Sequence, residues 1–268
     1  MLLQFYYICY PLFITLQLRK LLSYKIIGLL LINTMLCLVT FGQQASLDGT
    51  KLLYRNFKTN SATITSRGVS YTYRKAKFVQ GKDRLFEFDL ATVKDAKQSK
   101  VKGQDLRFKS YYYGKLNSVM NIRLGIGWQK ALYNKEVPKA IEIKNGFTFG
   151  ATLGILKPVY IQVYAPIDKS DNKKIVSERY DVTKHNAYNI LGRASFFNGI
   201  SKTTINPGAF LKYYYTFDFS ADDDKIKALE CGLIADFYLK GLEIMANNTP
   251  KRFMVTLYAS YTFGSKEL

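Results

Sequence analysis

The last strand-like run of the chain alternates strictly between two kinds of position. Phe253, Val255, Leu257, Ala259, Tyr261 and Phe263 hold one parity, while Met254, Thr256, Tyr258, Ser260 and Thr262 hold the other. A period of two sends successive side chains to opposite faces of a β-strand. The pattern recurs in the apolar parities of 209–219, 229–239, 122–128 and 147–155, none of which contains a charge. Charge falls instead on the opposite parity, at Arg123, Lys212, Asp218, Glu230 and Asp236, and at Glu87 and Asp89 beside Phe86 and Phe88. A charge-free outer face is what lipid demands, because a Lys or Arg at the bilayer midplane of a barrel costs about 2–4 kcal/mol. The sequence therefore predicts an all-β fold, an antiparallel transmembrane β-barrel. Its enclosed lumen is lined by Glu87, Asp89, Arg123, Lys212, Asp218, Glu230 and Asp236, which must pair with one another. Lys130 and Lys227 share the outward parity near strand ends, where long stems can snorkel to the interface.

The alternation marks about ten strands, with eight to twelve compatible: 50–57, 67–78, 84–92, 107–116, 122–132, 145–156, 158–166, 207–219, 226–239 and 253–263. Bacterial barrels have even strand counts, short periplasmic turns and longer outer loops. Links at 79–83, 117–121, around Lys157 and at 220–225 are short, and those at 58–66, 93–106, 133–144, 167–206 and 240–252 are long. This alternation places both termini in the periplasm and every long link outside. The longest, 167–206, is expected to form a lid, a plug or a short helix, with a turn or two within 189–202.

Residues 1–41 contain no acid, and Arg19, Lys20 and Lys25 precede an apolar run from Ile26 to Phe41. That is the layout of a signal peptide, with small residues Thr40 and Gly42 suited to a cleavage site. The expected organisation is a targeting segment, 1–42, and one barrel domain, 43–268, exported to the cell outer membrane. A retained membrane anchor is the competing reading, since the run is a little short of the roughly 20 residues that span a bilayer. Composition agrees with strands at a membrane: 21 Tyr and 18 Phe stand against one Trp, and aromatic girdles border the lipid-facing bands of such barrels. Of the three cysteines, Cys9 and Cys37 fall in the targeting segment; Cys231 remains alone, which excludes a disulfide framework.

The formal charge is +19, and losing the three bases of residues 1–42 leaves +16. The bases form no helix or aromatic-interleaved motif that reads or stacks nucleobases, so nucleic acid is not an expected partner. The long links carry 18 Lys and Arg against 9 Asp and Glu. The expected partners are outer-membrane lipid and lipopolysaccharide, whose phosphates would meet these loops, and the barrel-insertion machinery.

Several segments carry a family likeness: YYYGKLN at 111–117, IRLGIGWQK at 122–130, GATLGILKPVYIQVY at 150–164, IKALECG at 226–232 and EIMA at 243–246. With them the chain resembles uncharacterised outer-membrane β-barrel proteins of Bacteroidota over most of its length. The resemblance implies fold and location and transfers no active site. The closing TLYASYTFG matches a barrel ending, although Phe263 is followed by five more residues.

Candidate chemistry is sparse. A hydrolase or acyltransferase acting on lipid or peptide would need a His with a Ser and an acid, and His185 is the single histidine, with Ser177, Asp181 and Ser195 near it in sequence. One His and no Cys cluster give no metal site, and no GK[ST] follows the glycines to bind phosphate, so no cofactor is expected. Glycines on the inner parity are expected to permit tight curvature or to make room for an aromatic neighbour. Three functions stay open: a structural, adhesive or narrow solute-passage barrel, a barrel enzyme built on His185 or on a lumen acid near a substrate groove, and a soluble or tethered β-protein holding an apolar ligand.

Overall fold

The computed structural model describes residues 56–79, 81–135, 140–166, 173–222 and 224–267. The targeting segment 1–42 and residues 50–55 of the first expected strand lie outside the described residues. Eight strands form a closed antiparallel barrel: β1 (Asn56–Thr65), β2 (Gly68–Val79), β3 (Lys82–Val93), β6 (Asn117–Tyr133), β7 (Glu142–Pro158), β11 (Thr204–Asp218), β12 (Lys225–Leu242) and β13 (Lys251–Glu267). Each pairs with the next barrel strand in the chain, and β13 closes the ring on β1, from Asn56↔Glu267 to Thr65↔Tyr258.

The other strands lie outside the ring. β4 (Lys100–Val101) pairs with β5 (Tyr111–Tyr112), and β8 (Tyr160–Pro166) is the middle strand between β9 (Lys173–Arg179) and β10 (Ile190–Arg193). A 3₁₀ turn, Ile200–Lys202, precedes β11.

Several expected boundaries change. The link expected at 58–66 is most of β1, and the short links expected at 117–121 and around Lys157 are the start of β6 and the end of β7. The strand expected at 107–116 shrinks to the pair Tyr111–Tyr112, because this aromatic run packs into a loop cluster instead of the ring. The strand expected at 158–166 is β8, which belongs to the small sheet. Residues 167–206 contain that sheet's other two strands and the 3₁₀ turn, where the sequence suggested a lid, plug or helix.

The direction of the links also sharpens. One rim carries the connections 66–67, 94–116, 159–203 and 243–250; the other carries 80–81, 134–141, 219–224, the start of β1 and the end of β13. The link expected outside at 133–144 is thus 134–141, on the rim of the termini. It read as long because β6 and β7, 17 residues each, run further than their apolar alternation.

Burial follows parity. On β13, Phe253, Leu257 and Phe263 are exposed while Met254, Tyr258 and Thr262 are buried, and the same division holds on β12. The barrel is therefore apolar outside and largely polar within, the inverse of a water-soluble barrel. Eight strands enclose a lumen just wide enough to be filled by side chains, and inward glycines seat the largest. A Cβ on Gly146 would lie 2.2 Å from Tyr214 Cζ, and one on Gly125 would lie 2.6 Å from Phe210 Cζ. Among the described residues no helix is long and apolar enough to cross a membrane, which says nothing about strands.

Candidate functional site: a filled lumen beneath a cap of loops

The inward charges meet in two groups. In the first, Arg74 on β2 spans the lumen. Its Nε and Nη2 donate to Glu87 Oε2 at 3.0 and 2.7 Å, and its Nη1 and Nη2 donate to Glu230 Oε2 and Oε1 at 2.8 and 3.2 Å. Lys212 Nζ from β11 donates to Glu87 Oε1 at 2.9 Å and lies 3.5 Å from Glu230 Oε1. Glu230 also accepts from Tyr258 Oη at 2.7 Å and Thr216 Oγ1 at 3.2 Å. Two cations thus face two carboxylates, all at most 4% exposed in their side chains. The Arg74 guanidinium sits 4.6 Å above the Tyr214 ring centre and Lys212 Nζ 4.7 Å from that of Tyr258, so ring faces complete the cations' shells.

The second group lies toward the rim of the long links. Arg123 on β6 donates from Nε and Nη2 to the two oxygens of Asp236, each at 2.8 Å, and from Nη1 to Asp89. The forked guanidinium matches a carboxylate with two parallel bonds. Asp89 also accepts from Thr72 Oγ1 at 2.8 Å. Asp218, the remaining expected lumen residue, joins neither group: near the rim of the termini it accepts from Ser220 Oγ at 2.7 Å and Lys135 Nζ at 3.2 Å.

Arg74, the hub of the first group, escaped the sequence reading. Its inward parity is visible from Tyr71 and Tyr73 outside, yet Lys75 and Lys77 on the outward parity hide the alternation. Cys231 faces outward and is free, between Leu229 and Leu233.

Above the lumen an apolar layer of Val93, Val119, Leu156, Tyr238, Leu242, Ile244 and Met254 closes the barrel. Three loops cover it as one cap. Tyr111, Ile161, Val163, Tyr180 and Ile190 form its core. Backbone bonds tie its parts: Gln104 N–H to Leu191 O (3.0 Å), Arg193 N–H to Lys109 O (3.0 Å), Leu116 N–H to Ile244 O (3.0 Å) and Ala246 N–H to Gly114 O (2.7 Å).

Two groups of the cap, Asp95 and Lys115, carry shifted pKa values. Asp95 is buried; burial alone would raise its pKa, but the Lys97 N–H and the Lys251 ammonium, 3.0 Å away, hold it below the usual carboxylate value. Burial pushes the Lys115 pKa down to about 8, helped by Lys94 and Arg193. His185 sits in the turn after β9, where its Nδ1 accepts from the Asp181 N–H at 3.0 Å, its Nε2 lies 3.6 Å from Glu178, and its ring stacks on Tyr180. Its bonds to the Asp181 backbone make it a turn-stabilising side chain, and neither Ser177 nor Ser195 is among its hydrogen-bond partners in the described residues. Among the described residues no three His, Cys, Asp or Glu side chains converge to hold a metal.

No family model matches the sequence, and no curated protein matches it. Among solved structures the chain is similar to the crystal structure of Neisserial surface protein A, at 8% identity and a TM-score of 0.40, over 79% of this chain and 94% of that one. The fold described above rests on strand pairing and burial, not on that likeness.

Proposed function

We propose that the chain is an outer-membrane barrel that works as a closed platform, holding its cap of loops at the cell surface, and not as a pore. The observation that carries this reading is the filled lumen: Arg74, Glu87, Glu230 and Lys212 bridge it from opposite walls under an apolar layer and a three-loop cap.

The outward apolar parity supports a lipid environment, and strands of 10–18 residues exceed or match the roughly 9–11 that cross a bilayer. Charge supports the orientation. The connections on the cap rim carry 15 Lys and Arg against seven Asp and Glu, whereas those on the opposite rim carry two against four. A basic cap suits the phosphates of lipopolysaccharide, and adhesion to such anions would weaken with salt. The terminal β13, reaching past Phe263 to close on β1, is the segment that insertion machinery would engage.

The purified protein in planar lipid bilayers is expected to be electrically silent. Steady single-channel conductance would overturn the closed-platform reading and favour solute passage.

A further inference from the structure

Near the rim of the termini, β2 and β3 turn four cations outward: Lys75, Lys77, Lys82 and Arg84. They line a recess of about 930 Å³ whose apolar wall is Phe86, Ile126, Trp128 and Phe149, and no acid lines it. We propose that this recess binds an anionic phospholipid, with the phosphate among the cations and the acyl chains along the aromatic wall. The proposal rests on the reading that the barrel spans a membrane.

Register makes the case. Lys77 lies directly opposite Arg84, and Arg84 opposite Trp128, in one row across three strands. The next row toward the barrel middle runs Lys75, Phe86, Ile126, Phe149. Like charges directly opposite on neighbouring strands destabilise a sheet unless something neutralises them. Nearby, that need is met by the chain itself: Lys58, opposite Lys75 on the other side, is bonded to Glu267 at 2.8 Å. Lys75, Lys77, Lys82 and Arg84 have no carboxylate partner among the described residues. From Lys77 and Arg84 to Phe86, Ile126 and Phe149 the rows change from cationic to apolar within one step, with Lys75 at the edge of the apolar row, the profile of a phosphate headgroup above its chains. Tryptophan at the boundary suits the headgroup level. A soluble anion would use the cations but leave the aromatic wall without a role, so the lipid is the occupant that accounts for both.

Trp128 is the sole tryptophan of the chain, so its emission reports on this recess without labelling. The full-length protein, inserted in phosphatidylcholine vesicles, would be titrated with a small fraction of dibrominated phosphatidylglycerol or, separately, dibrominated phosphatidylcholine. The expected result is quenching by the anionic lipid with an apparent affinity about fivefold above the zwitterionic one, the factor contributed by about one surface base. The quadruple variant Lys75→Gln, Lys77→Gln, Lys82→Gln, Arg84→Gln should bring the ratio to about one, and Lys58→Gln should leave it unchanged. Equal quenching by the two lipids in an inserted wild-type protein, or a preference that survives the quadruple variant, would overturn the proposal alone. Reversal of quenching by inorganic phosphate at matched ionic strength would assign the site to a soluble anion and overturn the lipid. Failure to insert, seen as no quenching by either lipid and no heat-modifiable mobility, would overturn the membrane reading and this proposal with it.

Discussion

Replacing Arg74 by Met removes the only group among the described residues that bonds both Glu87 and Glu230 with several hydrogen bonds. Two carboxylates, each about 1% exposed, would then face the single ammonium of Lys212, 2.9 Å from one and 3.5 Å from the other. One buried negative charge is left without a counterpart, a change that costs about 3–5 kcal/mol. Glu230→Gln alone makes the opposite error, setting Arg74 and Lys212 against Glu87, and should cost about 3 kcal/mol. Combining the two restores neutrality: Lys212 and Glu87 keep their bond, and the new amide can still meet Thr216 and Tyr258. The double variant is expected to be about as impaired as Arg74→Met alone and not the sum of the two losses, a coupling of about 3 kcal/mol. Urea titrations in phospholipid vesicles, followed by heat-modifiable mobility and by Trp128 emission, would give all four corners of the cycle. Losses that simply add would refute the reasoning, since they would mean that charge balance inside the barrel contributes nothing.

Three other perturbations test separate layers. Leu257→Lys, on the outward parity of β13, should cost about 2–4 kcal/mol in vesicles if lipid surrounds that position; an unaffected urea midpoint would count against a membrane-facing wall. Gly146→Val should prevent folding or cost several kcal/mol, because its side chain would overlap Tyr214, and the added change Tyr214→Ala should recover much of the loss in the same titration. For Lys115, a folded pKa of about 8 against an ordinary 10.5 means that the unfolded cap binds more protons between those values. Cap stability should therefore rise from pH 8 to 10.5, read as slower proteolysis of the loops after correction for protease activity, and Lys115→Met should flatten that rise.

Alternation made the barrel legible wherever one face is purely apolar. The outer faces of β11, β12 and β13, and the charges on their inner faces, could be read from parity alone because the outward positions within 209–219, 229–239 and 253–263 carry no charge. β1 was hidden by the opposite property. Its outward residues begin Asn56, Lys58, Asn60, so its alternation carries little hydrophobic contrast, and Tyr71 donates to Asn60 across the strands at 2.6 Å. The cap was illegible for a different reason: Tyr111 to Tyr113 is a strong strand former by composition, but it packs on Ile161 and Tyr180, which lie far along the chain. Local propensity cannot weigh such contacts. Pairing partners within the lumen were equally out of reach, since Arg123 meets Asp236 and Arg74 meets Glu230 across more than a hundred residues.

Closure of the ring on β1 also sets an order of events. β1 is the first barrel strand to leave the ribosome and β13 the last, so one edge of β1 must stay unpaired until the whole barrel has been made. An unpaired edge is a template for misassembly, and polar or charged residues are the usual protection. The Asn and Lys positions that obscure β1 as a strand suit it to that wait, keeping the seam soluble until its partner arrives.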